Sequence, residues 1–272
     1  VTFTNKAAGE MRERAQELLR VPTRSMWIGT FHGIAHRLLR MHWNEAGLPE
    51  NFQILDSDDQ HRIIRRLIKE EGLDEAHWPA RQAQWYINAR KDEGQRPDTI
   101  EDMGNPMTAQ WVRIYELYQA SCDRAGLVDF ADLLLRAHEL WLNHPSLLEH
   151  YRKRLGYLLV DEFQDTNSIQ YAWIRMLAGD NGSVLVVGDD DQSIYGWRGA
   201  QVENVQHFRR DFTDVQVVKL EQNYRSSGNI LEAANALIAN NEDRMGKKLW
   251  TADDKGAPIT LYAAFNEQDE AR

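Results

Sequence analysis

Hydrophobic residues recur every three to four positions along much of the first 150 residues, the spacing of helices that bury one face. The pattern predicts helices over residues 5–20, 32–42 and most of about 52–150. Asn5 is placed to cap the first helix, because its side chain can accept a hydrogen bond from a free backbone amide. Glycines and prolines divide the longest segment into several helices.

Compact apolar runs replace this pattern near residue 155 and predict strands. Tyr157–Val160 and Val184–Val187 are bounded by turn or acidic residues, as buried parallel strands are. Ile169–Leu177 lies between them and predicts the helix that connects two parallel strands. Val215–Leu220 predicts a third strand, followed by a helix at about 227–240.

Two β-prone segments near the start complete the predicted fold class. Val1–Thr4 and residues 27–31 predict short strands on either side of the first helix. An α/β layer therefore opens the chain, an all-helical insert of about 120 residues interrupts it, and the layer resumes near residue 155. Because both ends fall inside this pattern, we expect the chain to be an internal piece of a longer protein.

The composition is that of a globular protein, and its charge is uneven. Of 272 residues, 42% are hydrophobic and 27% are charged, and no apolar run approaches the roughly 20 residues of a membrane helix. A net charge of −10 argues against a nucleic-acid partner. Residues 1–50 nevertheless carry a net charge of +2 and residues 101–150 one of −5, so a basic surface can exist on an acidic protein. The single cysteine, Cys122, favours a reducing compartment such as the cytoplasm.

Two adjacent carboxylates follow the first buried strand. Asp161 and Glu162 come directly after Tyr157–Val160, and ligands of open α/β sheets bind beyond the carboxyl ends of the strands. An aspartate there can hold Mg²⁺, and a neighbouring glutamate can orient or deprotonate an attacking water, as in nucleotide hydrolysis. An ordinary acidic strand-to-turn junction has the same pattern, so this pair alone leaves both interpretations open.

The end of the second strand favours the hydrolytic interpretation. It carries three aspartates, residues 189–191, and then Gln192, whose amide could reach a phosphate oxygen or the attacking water. Tyr195, Trp197 and Arg198 follow on the same segment. Aromatic rings and an arginine in this arrangement can stack on bases and contact phosphates.

A third polar cluster follows the third predicted strand. Arg225 could stabilise charge on a transferring phosphoryl group, and Tyr224 offers a ring that could stack on adenine. On its own, Arg225 would be explained equally well as a surface or ion-pairing residue.

Together these segments resemble the motifs of the UvrD/Rep/PcrA family of superfamily 1A DNA helicases, and the resemblance covers essentially the whole chain. The three strand-end segments are LLVDEFQDTN at 158–167, VGDDDQSIYGWRGA at 187–200 and LEQNYRSSGNI at 220–230. VTFTNKAAGEMRER at 1–14 and GTFHGIAHRLLR at 29–40 are similar to the family's segments that contact single-stranded DNA.

The resemblance implies an ATP-dependent 3′→5′ DNA helicase of mismatch and nucleotide excision repair, with ATP and Mg²⁺ as cofactors. It implies single-stranded DNA and junctions of single- and double-stranded DNA as substrates. Repair proteins or a second copy would be partners of the complete protein, and no membrane would be involved. The implied location is the bacterial cytoplasm, near the nucleoid.

The resemblance also implies a role for each matching position. Asp161 and Glu162 would bind Mg²⁺, and Glu162 would be the catalytic base. Gln192 would sense the γ-phosphate, Arg225 would be the arginine finger, and Tyr224 would stack on adenine. The side chains along the DNA path would be Phe3, Thr4, Asn5, His32, Tyr195, Trp197 and Arg198.

The implied fold is a RecA-like parallel sheet of the P-loop NTPase type, incomplete in this chain and interrupted by the helical insert. Residues 1–30 and 156–221 would belong to RecA-like subdomain 1A. Residues 31–155 would form the helical subdomain 1B, and residues 222–272 would begin RecA-like subdomain 2A.

The sequence departs from the family at the phosphate-binding loop. No G-x-x-x-x-G-K-[ST] occurs, and Gly246-Lys247 is followed by Lys248. We therefore expect this chain by itself not to turn over ATP. Two alternatives stay open: a non-catalytic module that binds single-stranded DNA, and a helicase–nuclease subunit of the RecB or AddA type.

Overall fold

The computed structural model describes residues 1–180, 182–241 and 244–271, apart from the side chains of Arg24 and Arg198. Backbone contacts divide the chain into two units, residues 1–208 and 209–272. Within the described ranges, the protein is a mixture of helices and two small parallel sheets. In the same ranges, no helix combines the length and the apolar character needed to cross a bilayer.

Helices account for most of the first unit. The α-helices are α1 (Asn5–Leu19), α2 (Phe31–Met41), α3 (Ser57–Glu70), α4 (Ala80–Asp92), α5 (Pro106–Ala125), α6 (Phe130–Asn143), α7 (Pro145–Arg154), α8 (Ser168–Ala178), α9 (Asn204–Asp211), α10 (Gly228–Ile238) and α11 (Glu267–Glu270). Short 3₁₀ turns occupy Thr23–Ser25, Pro97–Thr99, Phe163–Asp165, Asp190–Gln192 and Gly196–Arg198. The residue that caps α1 is Thr4, not the predicted Asn5, because the Thr4 hydroxyl accepts a hydrogen bond from the Ala7 amide at 3.1 Å.

The strands form two parallel pairs. They are β1 (Gln53–Ile54), β2 (Leu127–Val128), β3 (Tyr157–Val160) and β4 (Ser183–Val186), with β1 beside β2 and β3 beside β4. In the second pair Tyr157 lies opposite Ser183 and Val160 opposite Val186, so both strands end at the same level. The first pair lies inside the segment 31–155, which is therefore mostly but not entirely helical.

The start of the chain extends the β3–β4 sheet. The Asp161 amide donates to the Val1 carbonyl oxygen at 2.9 Å, and the Thr2 amide donates to the Gly29 carbonyl oxygen at 3.1 Å. Thr2 and Thr30 form an isolated parallel bridge. The two early strands predicted from the sequence are thus reduced to single bridges, and these place Thr2 and the start of α2 next to the end of β3.

The helical part of the first unit is built around an apolar core between α3, α4 and α5. Ile64 and Ile68 lie one turn apart on α3 and are fully buried, together with Ile87 and Tyr115. Cys122, on α5, is also buried in this core. The helical spacing of apolar residues therefore predicts the core face of these helices well.

A buried ionic network joins α4 to α6 beside this core. Lys91 Nζ lies 2.7 Å from Asp129 Oδ2, and Asp132 receives Arg96 Nη1 and Arg136 Nε at 2.6 Å each. Burial alone would raise the pKa of Asp132, but the charges of Lys91, Arg96 and Arg136 outweigh burial and hold this pKa below its ordinary value. The network therefore consists of compensated charges inside the fold.

The described part of the second unit contains α10, α11 and one parallel bridge, between Gln222 and Trp250. The predicted strand Val215–Leu220 is wrong, since these residues lie in no strand. A strand is stable through hydrogen bonds to a neighbour, and the described pairing of this unit begins only at Gln222. The helix predicted at about 227–240 is present as α10.

Candidate functional site

The two carboxylates predicted as a hydrolytic pair lie at the end of β3. The Thr2 hydroxyl donates a hydrogen bond to Asp161 Oδ2 at 3.2 Å. Glu162 has a backbone φ of 53°, in the left-handed region that side chains other than glycine rarely adopt. Such a conformation costs about 1–3 kcal/mol and is found preferentially at functional sites. The backbone thus supports a special role for Glu162.

A buried amide connects Glu162 to the end of β4. Gln164 Nε2 donates to Glu162 Oε2 at 2.9 Å, and Gln164 Oε1 accepts from the Asp189 amide, also at 2.9 Å. Gln192 Nε2 in turn donates to Asp189 Oδ2 at 2.7 Å. Two residues singled out from the sequence, Glu162 and Gln192, are therefore joined through Gln164 and Asp189.

A cavity of about 390 Å³ in the first unit collects three of the predicted DNA-contacting residues. Phe3, His32 and Tyr195 all line it. The first turns of α2, α3, α6 and α8 border the same cavity. Each of these N-termini is capped by a side chain, and the caps of α3 and α6 are the carboxylates of Asp56 and Asp129, so first-turn amides at this border are already paired.

The protonation state of His32 decides which contacts its side chain can make. Burial lowers the pKa of His32 to about 4, so its imidazole is neutral near pH 7. Its ring meets the Phe130 ring edge-on, with 6.0 Å between the ring centroids. His32 therefore presents a neutral ring and a hydrogen-bonding nitrogen, not a cation for a phosphate.

Two acidic side chains that the sequence did not single out also line this cavity. Burial raises the pKa of Asp92 to about 7 against a hydrogen bond from the Asn167 side chain that lowers it, and the charges of Asp129 and Glu93 raise it further. Asp165 has one buried oxygen without a hydrogen-bond partner among the described residues. Burial and the charge of Glu162 raise the pKa of Asp165 as well. The cavity thus contains carboxyl groups whose charge is not fully compensated.

The other predicted DNA-contacting residues lie outside the cavity lining. Thr4 caps α1 and Asn5 is the exposed first residue of that helix. Trp197 is 70% exposed, and its ring centroid lies 6.5 Å from that of Tyr195. These two rings therefore lie on one loop, while the side chain of Arg198 lies outside the described part of the structure.

In the second unit, a turn presents Tyr224 and Arg225 to solvent. Asn223 Oδ1 accepts from the backbone amides of Arg225 and Ser226 at 2.9 and 2.8 Å, the geometry of an Asx turn. Tyr224 is 81% exposed, and its hydroxyl donates to Gln222 Oε1 at 2.9 Å. Both side chains are accessible to a ligand.

The oxygen donors at the end of β3 fit Mg²⁺, which prefers carboxylate and hydroxyl oxygens. Asp161 and Glu162 supply carboxylates there, and the Thr2 hydroxyl lies beside Asp161. The aspartates 189–191 also lie close together. However, both carboxylate oxygens of Asp189 already accept hydrogen bonds, from the Asp191 amide and from Gln192. At the end of β3, Asp161 Oδ2 and Glu162 Oε2 each accept one hydrogen bond. One oxygen of each carboxylate therefore stays available, and the β3 end is the better candidate metal site.

Comparison with known proteins identifies the class. The family model described as the UvrD/REP helicase N-terminal domain matches residues 1–213, and the model of the UvrD-like helicase C-terminal domain matches residues 218–272. The chain belongs to the UvrD/REP helicase family.

Curated relatives agree with this assignment. DNA helicase II of Salmonella typhimurium and DNA helicase II of Escherichia coli are each 65% identical over 272 residues. ATP-dependent DNA helicase PcrA of Leuconostoc citreum is 44% identical over 273 residues. Each alignment covers 100% of this chain but only 38%, 38% and 36% of the respective relative. The chain therefore spans less than two-fifths of the length of these relatives.

Proposed function

We propose that the chain is part of an ATP-dependent DNA helicase that moves 3′→5′ along single-stranded DNA and unwinds duplex DNA. The observation that carries the proposal is the hydrogen-bonded connection between Glu162 and Gln192, which leads to the loop that exposes Trp197. It brings groups suited to hydrolysis and groups suited to base stacking onto two adjacent strand ends. Membership of the family supports the same activity.

In the proposed hydrolytic step, Glu162 orients the attacking water and accepts its proton. Asp161 would hold Mg²⁺, which neutralises developing charge on the phosphates when it is bound. Gln192 would contact the γ-phosphate. Tyr224 and Arg225, which the second unit exposes, would bind adenine and a phosphate group respectively.

In the proposed DNA path, stacking supplies most of the affinity. Phe3, Tyr195 and Trp197 would stack on bases, and such stacking contributes about 1–3 kcal/mol per base. His32 would contact the strand as a neutral ring, because its pKa is about 4. Thr4, Asn5 and Arg198 would line the remainder of the path. Binding by uncharged rings is compatible with a net charge of −10.

We assign residues 1–30 and 156–221 to RecA-like subdomain 1A, residues 31–155 to subdomain 1B and residues 222–272 to subdomain 2A. Because the chain covers 38% of the DNA helicase II relatives, we assign the phosphate-binding loop to other parts of a longer protein. By this proposal the chain alone does not turn over ATP. The complete protein would act at single-strand/double-strand junctions in mismatch and nucleotide excision repair, with repair proteins or a second copy as partners.

Replacing the proposed base tests the hydrolytic role. In the complete protein, Glu162→Gln should lower DNA-stimulated ATP hydrolysis by about 10²–10⁴-fold, because the amide cannot accept the proton of water. Nucleotide affinity, measured by titration with a fluorescent ATP analogue, should be retained. Glu149→Gln, on an exposed glutamate of α7, is the control and should hydrolyse ATP normally. Near-normal turnover of Glu162→Gln would remove Glu162 from the role of base.

Two equally exposed tryptophans allow a matched test of the DNA path. Trp197 and Trp85 are both 70% exposed, but Trp85 lies on α4 and not on the loop 189–198. Trp197→Ala should weaken binding of an oligothymidylate about tenfold or more, as expected for the loss of one stacked base. Trp85→Ala should leave the affinity unchanged. Equal affinities of both variants would contradict the proposed role of Trp197.

A further inference from the structure

Gln164 lies buried between the two strand ends and uses both ends of its amide. The side chain is 1% exposed and belongs to the 3₁₀ turn Phe163–Asp165. It donates to the Glu162 carboxylate and accepts from the Asp189 amide. A terminal amide can donate and accept in this way without carrying a charge. Methionine at this position could make neither hydrogen bond, and a glutamate carboxylate could accept but not donate.

The backbone around Gln164 fixes this amide in place. A Cβ atom on Gly188 would lie 2.7 Å from Gln164 Oε1 and 3.2 Å from the Phe163 nitrogen, so a glycine is needed for the close approach. The Phe163 amide also donates to the Val187 carbonyl oxygen at 3.0 Å. The two strand ends are therefore in contact at the position where the Gln164 amide connects them.

The connection continues into the loop with the exposed aromatic rings. Asp189 binds Gln164 through its backbone amide and Gln192 through its carboxylate. Tyr195 and Trp197 follow within five residues of Gln192. These contacts form a continuous path from the loop through Asp189 and the Gln164 amide to the Glu162 carboxylate.

We infer that Gln164 is a positioning residue through which single-stranded DNA on the loop 189–198 sets the orientation of Glu162 and so stimulates ATP hydrolysis. The inference rests on the proposed function, which supplies the roles of Glu162 and of the loop. Gln164 itself touches neither the nucleotide nor the DNA in this arrangement. It transmits the state of one site to the other.

The test uses two substitutions in the complete protein. Gln164→Met is similar in size and removes both hydrogen bonds, whereas Gln164→Glu keeps an acceptor for the Asp189 amide and loses the donor to Glu162. In both variants the ratio of kcat with saturating oligothymidylate to kcat without DNA should fall roughly tenfold, the size expected for losing a hydrogen bond to a charged group. The KM for ATP and the Kd for the oligothymidylate should stay within about twofold of the wild-type values, because no binding group has been removed.

A buried glutamine elsewhere provides the control. Gln119, on α5, is also buried and donates to Asp123 Oδ1 at 3.0 Å. Gln119→Met should keep the wild-type ratio of stimulation even if it lowers the thermal stability by as much as Gln164→Met. If Gln164→Met fails to fold, Gln164→Glu decides the test.

Two outcomes would overturn the inference. A stimulation ratio within about twofold of wild type in both Gln164 variants would show that the amide transmits nothing. A parallel loss of kcat, ATP affinity and DNA affinity would show that Gln164 only supports the fold. A wild-type complete protein without DNA-stimulated ATP hydrolysis would instead refute the proposed function, and this inference with it.

Discussion

Two sets of carboxyl groups in the described part of the first unit differ in how their charge is compensated. Between the helices, Asp129 and Asp132 receive Lys91, Arg96 and Arg136, and the pKa of Asp132 is held low. Facing the cavity, the pKa values of Asp92 and Asp165 are raised, first of all by burial. The first set is paired with cations, whereas no cation is among the groups that shift the pKa values of Asp92 and Asp165.

This difference separates carboxyl groups that stabilise the fold from carboxyl groups that face the candidate site. A buried charge without a partner is costly, so a fold retains one only where another role offsets the cost. The compensated set joins α4 to α6. The uncompensated set lies where DNA is proposed to bind, within reach of donors such as base amino groups. Removing a cation from the first set should therefore destabilise the fold. Neutralising a carboxyl group of the second set should stabilise it.

The largest effect is expected from Lys91→Met, which tests the structural set. Lys91 is the cation next to Asp129, and its loss leaves this buried carboxylate with neutral donors such as the Tyr118 hydroxyl at 2.7 Å. We expect the free energy of unfolding to fall by about 3–5 kcal/mol, the usual cost of breaking a buried ion pair. Urea unfolding followed by circular dichroism measures the change.

An exposed lysine is the control for this prediction. Lys153 lies 3.7 Å from Glu149 on the surface of α7, and Lys153→Met should change the stability by less than about 1 kcal/mol. Equal effects of the two substitutions would contradict a structural role of the buried network.

The sequence predicts the helices and the core of this unit but misses its buried charged residues, for a physical reason. Helical periodicity depends on burial, so it predicts α8 and the core face of α3 closely. β3 spans the predicted residues, but the expectation of buried strands is wrong, since only Val160 of β3 and no residue of β4 is buried. Periodicity treats every charged residue as exposed, and it therefore gives no signal for Lys91 or Asp132, whose burial depends on partners far along the chain.

The sequence likewise predicts some residues of the candidate site and misses others. The sequence predicts Asp161, Glu162 and Gln192 because polar residues directly after parallel strands lie at the sheet edge. Gln164 lies two residues beyond Glu162, and only the fold brings it against Asp189. Asp92 lies at the end of an amphipathic helix, where a charge is normally solvated. Contacts between distant segments are invisible to a pattern of single positions.

A smaller, pH-dependent effect is expected from Asp92→Asn, which tests the uncompensated set. The folded pKa is about 7 and the ordinary value is 3.8, so the folded state binds more protons between these pH values. The stability is therefore highest at low pH and is lost as the pH rises towards 7. Asparagine removes the buried charge, and we expect the Tm to rise by roughly 2–6 °C at pH 8 but to change little at pH 4.

Thermal unfolding of wild type and variant at the two pH values measures this effect. Asp165→Asn should shift the Tm in the same direction, since the pKa of Asp165 is also raised. A Tm difference between wild type and Asp92→Asn that is the same at pH 8 and pH 4 would show that Asp92 does not carry a costly charge.

The smallest effect is expected from the backbone at Glu162, where the fold tolerates strain beside the uncompensated carboxylates. Both Glu162→Gly and Glu162→Ala remove the carboxylate and its hydrogen bond from Gln164, so they differ only at Cβ. Because φ is 53°, the glycine variant should be the more stable of the two by about 1 kcal/mol. At Glu149, inside α7, the order should reverse, with alanine more stable by roughly 0.5–1 kcal/mol. If alanine were the more stable at both positions, Glu162 would carry no strain, and the left-handed backbone could not be counted as a sign of function.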